Sequence, residues 1–420
     1  MASAALAKYL SRYAEPETDD LHLSNRQYDF SLVIPAFQED ADRICRVWKS
    51  IPEATSFLVI LVINARSAPD DPALRLVEEL GRSHTEMETG NGLSLLKSPS
   101  GPDLLLVDRY SAGRTIPGKQ GVGLARKIGC DIALKLYESG QVLSDWLFTT
   151  DADAILPVDY FNADYFNTGA NAEDVACTFP FKHTASESLD LAVQLYEIYL
   201  LYYAAGLHEA GSPYGYTTIG STIACRSEAY AAVRGYPKRN TGEDFYLLNK
   251  IRKLGNIRSL SDPEVELDGR LSTRVPIGTG QAVAKISALR DPISEYQYDH
   301  PHCFERLGEF LLFLEQLAEK QPTALQPGNR GTQVYIEKSG LDKLYLDKRR
   351  EKPSPQVMMK FLMDWFDGLK TRQFIHHFRD NHCGTVPVSQ LTDSQLIDIE
   401  WQGESSLSAI RTSLKAIIHR

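Results

Sequence analysis

The sequence predicts an α/β protein built on an open, mostly parallel sheet flanked by helices, with a helical C-terminal region. Three observations predict it. Short apolar runs at 30–34, 57–63, 104–107 and 146–150 alternate with amphipathic stretches of helical spacing. The segments between the runs are long enough for parallel crossover connections. Beyond residue 281 the apolar spacing reads as helix, with polar linkers between the helices.

In order, residues 1–28 read as an N-terminal arm, with a short helix over 5–13 and an acidic linker. The 30–34 strand is closed by Pro35, since proline cannot donate to a ladder. Over 38–51, Ile44, Val47, Trp48 and Ile51 form one helical stripe. Residues 57–63 are continuously apolar, as in a strand covered on both faces. A helix over 73–80 and a strand over 104–107 follow. Ala125, Ile128, Ile132 and Leu136 define a helix opened by Gly121, and 146–150 is the next strand. The second half offers strands at 175–179, 220–225 and 257–260, and a tyrosine-rich helix over 189–207. Ser227 caps a short helix ending before Gly235, and Thr241 with Asp244 forms a capping box on a helix over 243–254. Helices over 282–289, 304–319, 357–378 and 405–419 complete the chain, with 321–332 and 347–355 as linkers. The expected organisation is an arm (1–28), two halves of an α/β domain (29–155 and 156–280) and a helical extension (281–420).

Composition bounds the function. The chain has 420 residues, 43% hydrophobic and 24% charged, and a net charge of −10. Its longest basic run is Lys348-Arg349-Arg350, which argues against nucleic acid as a ligand. Six cysteines lie scattered without Cys-x-x-Cys spacing, so reduced thiols and a cytoplasmic protein are expected. No secretory signal is visible. The best membrane candidate, 189–207, contains Asp190, Gln194 and Glu197, and its apolar run over 198–207 is too short to span a bilayer, so no integral membrane segment is expected.

Chemistry concentrates at strand ends, where open parallel sheets bind ligands. The 146–150 strand runs into Asp151 and Asp153, with one small alanine between them. Two carboxylates so spaced can face one hard cation, Mn2+ or Mg2+, whose other ligands are water and phosphate. A bare Asp-x-Asp turn is also a common loop; position raises its value. Pro35, Ala36, Phe37 and Glu39 follow the first strand, and Asn64 ends the second. Residues 118–123 are glycine-rich without a Walker or Rossmann pattern, but they open a helix that could meet an anion. Lys119, Arg114 and Arg126 supply positive charge there. Tyr214 and Tyr216 suit sugar stacking as well as an ordinary packed turn, and Ser221 lies at a small polar strand start; all three are candidate acceptor contacts. Glu243-Asp244 at a helix start fits both capping and a general base, because a carboxylate held there stays ionised. Arg270 and Arg274 flank a flexible turn and could clamp a leaving diphosphate. His300 and His302 lie in a proline turn and read as surface histidines or as a completing metal ligand.

Residues 33–39 (Val-Ile-Pro-Ala-Phe-Gln-Glu), Asp151-Ala152-Asp153 and Gly242-Glu243-Asp244, in this order and at these separations, resemble the family 2 glycosyltransferases of the GT-A fold. The resemblance covers roughly residues 30–280. It implies that 29–155 is a nucleotide-binding half, in which the first-strand turn helps hold the base, and 156–280 an acceptor-binding half. It implies that Asp153 binds the metal and that Asp244 deprotonates the acceptor hydroxyl. The second strand ends Asn64-Ala65-Arg66, where the family often has paired aspartates. The Gln-x-x-Arg-Trp motif and membrane helices of processive members are lacking, which argues against a polymer synthase.

The expectation is therefore a metal-dependent, inverting hexosyltransferase. It would move a sugar from a nucleotide-diphospho-sugar to a small-molecule or glycan acceptor, with a homodimer through the helical tail as a further possibility. The rivals are a retaining GT-A transferase similar to mannosylglycerate synthase, a sugar-1-phosphate nucleotidyltransferase, and a non-catalytic nucleotide-sugar binding protein. The nucleotidyltransferase would want a glycine-rich, basic loop after the first strand, and residues 35–39 are not that.

Overall fold

An uninterrupted apolar strand is stable in water only where both faces of its sheet are covered. In the computed structural model all eight residues of the second strand are buried. The structure describes residues 4–19, 21, 23, 26–82, 84–161, 165–166, 172–271, 278–394, 397 and 399–419, without the side chains of 86–89 and 393.

In chain order the first elements are α1 (Ala4–Arg12), β1 (Phe30–Ala36), α2 (Ala41–Arg46), β2 (Phe57–Asn64), α3 (Asp71–Gly81), β3 (Thr85–Gly90), β4 (Leu93–Lys97) and β5 (Asp103–Arg109). Then come α4 (Gly121–Glu138), β6 (Trp146–Thr149), β7 (Ala154–Ile155), β8 (Asp174–Thr178), β9 (Phe181–Thr184) and α5 (Glu187–Glu209). They are followed by β10 (Ile223–Arg226), α6 (Ser227–Ala232), α7 (Glu243–Ile251), β11 (Asn256–Ser259), β12 (Val265–Asp268) and α8 (Thr279–Ser287). The chain divides into two compact units, Met1–Ala185 with Thr218–Gln281, and Ser186–Thr217 with Ala282–Arg420.

The first unit holds a nine-stranded sheet in the order β11-β8-β10-β6-β1-β2-β5-β4-β3. β6, β1, β2 and β5 are parallel neighbours, β10 is antiparallel to both β6 and β8, and β3 and β4 add an antiparallel edge. The α/β class and its open, mostly parallel sheet follow the prediction. The carboxyl ends of the four parallel strands and the start of β10 therefore share one edge. A three-stranded sheet, β7-β12-β9, accompanies it. Gly129 of α4 sits where a Cβ would collide with Val33, so the helix lies close on β1 and β2. β6 is braced by aromatic rings: Phe148 meets Phe166 at 4.9 Å and Phe161 at 5.1 Å edge-to-face, contacts worth roughly 0.5–1.5 kcal/mol each beyond burial. The N-terminal arm is anchored through Tyr9, whose hydroxyl donates to Asp131 at 2.6 Å and accepts from Lys127 at 2.6 Å.

The second unit is helical. Its further elements are α9 (Pro292–Glu295), β13 (Gln297–Asp299), α10 (His302–Lys320), α11 (Arg330–Ser339), α12 (Leu341–Arg350), α13 (Pro355–Trp365), α14 (Gly368–Phe378), β14 (Thr385–Pro387) and α15 (Ser406–Ile418). Residues 186–217 were expected inside the α/β domain but group with these helices. α5 packs along α15 and against α10, and Glu197 of α5 is fully buried and bonded by Arg411 of α15 at 2.8 Å. Among the described residues no helix is long and apolar enough to cross a membrane.

Several local expectations give way. β1 continues through Pro35, which opposes Val62. Residues 33 and 35 aim their backbone to the same side, toward β6, and the β6 pairing has already ended at Val33, so no donor is missed. The helix expected over 38–51 contracts to α2, capped by Asp40 accepting from the Arg43 N–H. The β3–β4 hairpin was not foreseen, because 85–89 lacks apolar alternation. Its signal was the turn Gly90-Asn91-Gly92, all three at positive φ. α11 and α12 occupy parts of both expected linkers, and 357–378 is two helices, interrupted where Asp367 caps α14.

Candidate active site

The two aspartates sit on a turn held from three sides. β6 ends at Thr149. The Thr150 N–H donates to the Val33 carbonyl at 3.0 Å, and its hydroxyl donates to the Ser221 carbonyl at 3.0 Å. Ala152 is buried, which turns its neighbours outward: the Asp151 and Asp153 side chains are 36% and 32% exposed.

Beneath the turn lies Arg126 of α4, 3% exposed. Its Nη2 meets Asp151 at 2.5 Å, its Nε meets Glu243 at 3.0 Å, and its Nη1 donates to the Thr150 carbonyl at 3.5 Å. Burial works to lower its pKa, but the Asp151 and Glu243 carboxylates outweigh that and raise it, so the guanidinium stays charged. Close packing makes room for it. A Cβ on Gly220 would overlap the guanidinium, and one on Gly123 would strike the backbone oxygens of Pro237 and Arg239.

α7 begins at Glu243 after Gly242, which adopts φ 69° as the N-cap. The expected Thr241–Asp244 capping box is replaced: no side chain caps the helix, and Asp244 accepts from the Phe245 N–H at 2.7 Å. Left-handed backbone at position 242 fixes the entry angle, which only glycine adopts cheaply. Burial, then the adjacent Glu243 carboxylate, pushes the Asp244 carboxyl up to about 7 against the pull of the Phe245 N–H and Arg126. A carboxyl poised near neutrality suits proton transfer.

A second cluster surrounds Asp153. Arg270 meets Glu39 at 3.0 Å, Asp153 at 3.5 Å and Asp268 at 3.9 Å, and Arg43 meets Asp268 at 2.8 Å and Glu39 at 3.7 Å. The sequence reading named Glu39, Asp153 and Arg270 but missed Arg43 and Asp268. Asp268 ends β12, a strand whose Val-Glu-Leu-Asp alternation was legible but short; the Asp268 N–H donates to the Asp153 carbonyl at 3.2 Å.

At the ends of β1 and β2, Arg66 lies 5.1 Å over the Phe37 ring. Pro35 and Ala36 are strand residues of β1. The Asn64 side-chain oxygen is buried with no hydrogen-bond partner among the described residues. An orphaned buried acceptor calls for an external donor. Lys119 is exposed in the loop before α4, where the Ile116 N–H donates to the Ala65 carbonyl at 3.0 Å. Arg274 lies outside the described residues. Ser221 is buried beside the aspartate turn. Tyr214 and Tyr216 are buried in the second unit, and His300 and His302 belong to that unit too. Among the described residues, no group of three or more His, Cys, Asp or Glu side chains is arranged to hold a metal ion by itself.

No family model matches the chain, and no curated protein matches it. Among solved structures it is similar to that of a mycobacterial protein, at 14% identity and TM-score 0.32 over 71% of this chain and 83% of that one. It is also similar to glucosyl-3-phosphoglycerate synthase from Mycobacterium tuberculosis in complex with phosphoglyceric acid. That match has 15% identity and TM-score 0.31 over 65% of this chain and 84% of that one. Likeness this distant carries no weight for function.

Proposed function

We propose that this chain is a glycosyltransferase of the GT-A type, similar to family 2, which passes a sugar from a nucleotide-diphospho-sugar to an acceptor hydroxyl. One observation carries the reading: a buried arginine ties the turn bearing Asp151 and Asp153 to the helix start bearing Glu243 and Asp244, at the carboxyl edge of a parallel sheet.

The donor set fits a hard divalent cation. Asp151 and Asp153 are partly exposed carboxylates, and Mg2+ or Mn2+ commonly takes one or two of these with phosphate and water. When bound, such an ion would neutralise charge on the departing diphosphate. Arg270, within reach of Asp153, would add a donor to the same phosphates. Asn64 supplies the acceptor for a base N–H, and Phe37 with Arg66 a flat face against it. Lys119 remains a candidate phosphate contact. Arg126, saturated by Asp151 and Glu243, acts from beneath as a positioning residue rather than as a nucleotide contact. Glu243 holds Arg126, while Asp244 takes the acceptor proton as the acceptor oxygen attacks the anomeric carbon with inversion.

The test is a thermal-shift panel of UDP-, GDP- and TDP-sugars with and without Mn2+. One nucleotide should stabilise the protein in a metal-dependent way, and Asp153→Ala should abolish that dependence. No stabilisation by any donor, or dependence that survives Asp153→Ala, rejects the reading. Retained anomeric configuration in the product would instead remove Asp244 from the role of base.

A further inference from the structure

The six cysteines are free thiols and lie apart in sequence, yet two of them meet in the second unit. Cys303 lies in the first turn of α10 and is fully buried; Cys383 ends the turn Arg379–Cys383 and is partly exposed. The antiparallel pair β13–β14 brings them together. Asp299 opposes Thr385, the His300 N–H donates to the Gly384 carbonyl at 3.4 Å, and the Cys303 N–H donates to the His300 carbonyl at 2.9 Å. The Gly384 N–H closes the other side, on the Arg379 carbonyl at 2.9 Å. Within this frame the two sulfurs lie within side-chain hydrogen-bond reach of each other.

We propose that Cys383 and Cys303 form a reversible disulfide when the protein meets a hydroperoxide, with Cys383 the sulfur that reacts first. Exposure sets this order, since Cys383 is partly exposed and Cys303 fully buried, and the groups around the pair act in the same direction. The Cys303 S–H is the largest influence favouring the Cys383 thiolate; partial burial opposes it, His302 and Arg306 support it, and Glu305 opposes it, leaving Cys383 lowered to about 7. The same hydrogen bond, then burial, raises Cys303; Asp299 adds to this and Arg379 opposes it. The accessible sulfur is thus also the more acidic of the two, and the buried one is its resolving partner. Cys45 is an internal contrast: partial desolvation of its thiol, then Asp42, raises its pKa, so it should react more slowly.

The chemistry balances with hydrogen peroxide as oxidant. The Cys383 thiolate attacks one peroxide oxygen and the O–O bond breaks, giving a sulfenic acid at Cys383 and hydroxide, which takes up a proton as water. The Cys303 sulfur then attacks the Cys383 sulfur. The S–S bond forms, the S–O bond breaks, and the hydroxyl leaves as water with the Cys303 proton. Two thiols lose two electrons, and one peroxide becomes two waters. A dithiol reductant reverses the step by exchange.

The full chain is treated with hydrogen peroxide at pH 7, its remaining thiols are blocked with N-ethylmaleimide, and it is digested without reductant. Mass spectrometry should find the Cys303 and Cys383 peptides joined, and separated again by dithiothreitol. In Cys303→Ser the joined species should vanish and a dimedone adduct should appear on Cys383. The rate of Cys383 alkylation by iodoacetamide should have its midpoint near pH 7 in the unaltered chain and move upward in Cys303→Ser. That shift reads the thiol–thiol contact directly. Peroxide that leaves both cysteines unjoined, or joins Cys383 to another cysteine, overturns the proposal. So does a Cys383 midpoint at an ordinary thiol's value in the unaltered chain, which needs no variant to fold.

Discussion

Each unit buries a charge on a long helix that binds another segment, Arg126 in the first and Glu197 in the second, and the two are used differently. In the first, Arg126 of α4 joins a strand end to a helix start, and its partner Asp151 stays 36% exposed at the sheet edge. In the second, Glu197 of α5 is fully buried, and its partners Arg411 and Lys415 both come from α15. Arg126 therefore couples groups that face solvent and can meet a ligand. Glu197 fastens one helix to another. A buried ion pair alone is weak evidence of function; the partners' placement separates a site from a staple.

The largest expected effect belongs to the first cluster. Asp244→Asn should lower sugar transfer by about 10²–10⁴-fold, the usual contribution of a positioned base, with donor binding kept. Turnover per folded molecule should not change in Glu197→Gln. Equal losses in both variants would erase the distinction between the units.

Next comes stability. Arg126→Met leaves Asp151 and Glu243 facing each other with no cation between them and should cost about 3–5 kcal/mol in urea unfolding. The paired change Glu197→Leu with Arg411→Leu removes both charges and should alter stability by no more than about 1–2 kcal/mol. A paired variant as damaged as Arg126→Met would show that the α5–α15 pair is more than a fastening.

The pH dependence sharpens the contrast. The Asp244 carboxyl is raised to about 7, so transfer should climb as pH rises through 7 and then level off. Stability runs the other way. The folded state holds this proton more tightly than the unfolded chain, so the Asp244 contribution is greatest below the ordinary aspartate range and is lost as pH rises toward 7. Asp244→Asn should therefore melt higher than the unaltered protein at pH 8, and the gap should close by pH 4. A gap constant across that range would deny the raised carboxyl.

The smallest effect is at the N-terminal anchor. Tyr9→Phe loses the hydroxyl shared by Asp131 and Lys127, but both keep other partners: Tyr230 donates to Asp131 at 2.9 Å, and Lys127 donates to Asp131 at 2.7 Å. A loss of about 1 kcal/mol is expected, read from the urea midpoint.

Much of the first unit was legible because its chemistry follows short-range rules. Apolar runs of strand length, separated by helical stripes, announce a parallel sheet, and such a sheet presents its strand ends together. Asp151 and Asp153 could be named on that ground, and Glu243 and Asp244 from the capping pattern at a helix start and the family resemblance. The second unit was less legible. Its helices were expected, but α5 lies before the last strands in sequence and looks like one more crossover. Local spacing cannot say which core a buried face joins. Arg126 was read as a phosphate contact because it follows a glycine-rich loop, and its burial between two carboxylates is invisible without the fold.

The sequence alone determined the α/β class, the parallel core and the acidic residues at its strand ends, because alternation and breaker residues act within a few positions. Only the tertiary structure decided that Arg126 binds Asp151 to Glu243, that Arg43 and Asp268 join Asp153, and that Cys303 meets Cys383. Those contacts depend on how distant segments pack, and a buried charge or thiol takes its character from neighbours that the chain order does not disclose.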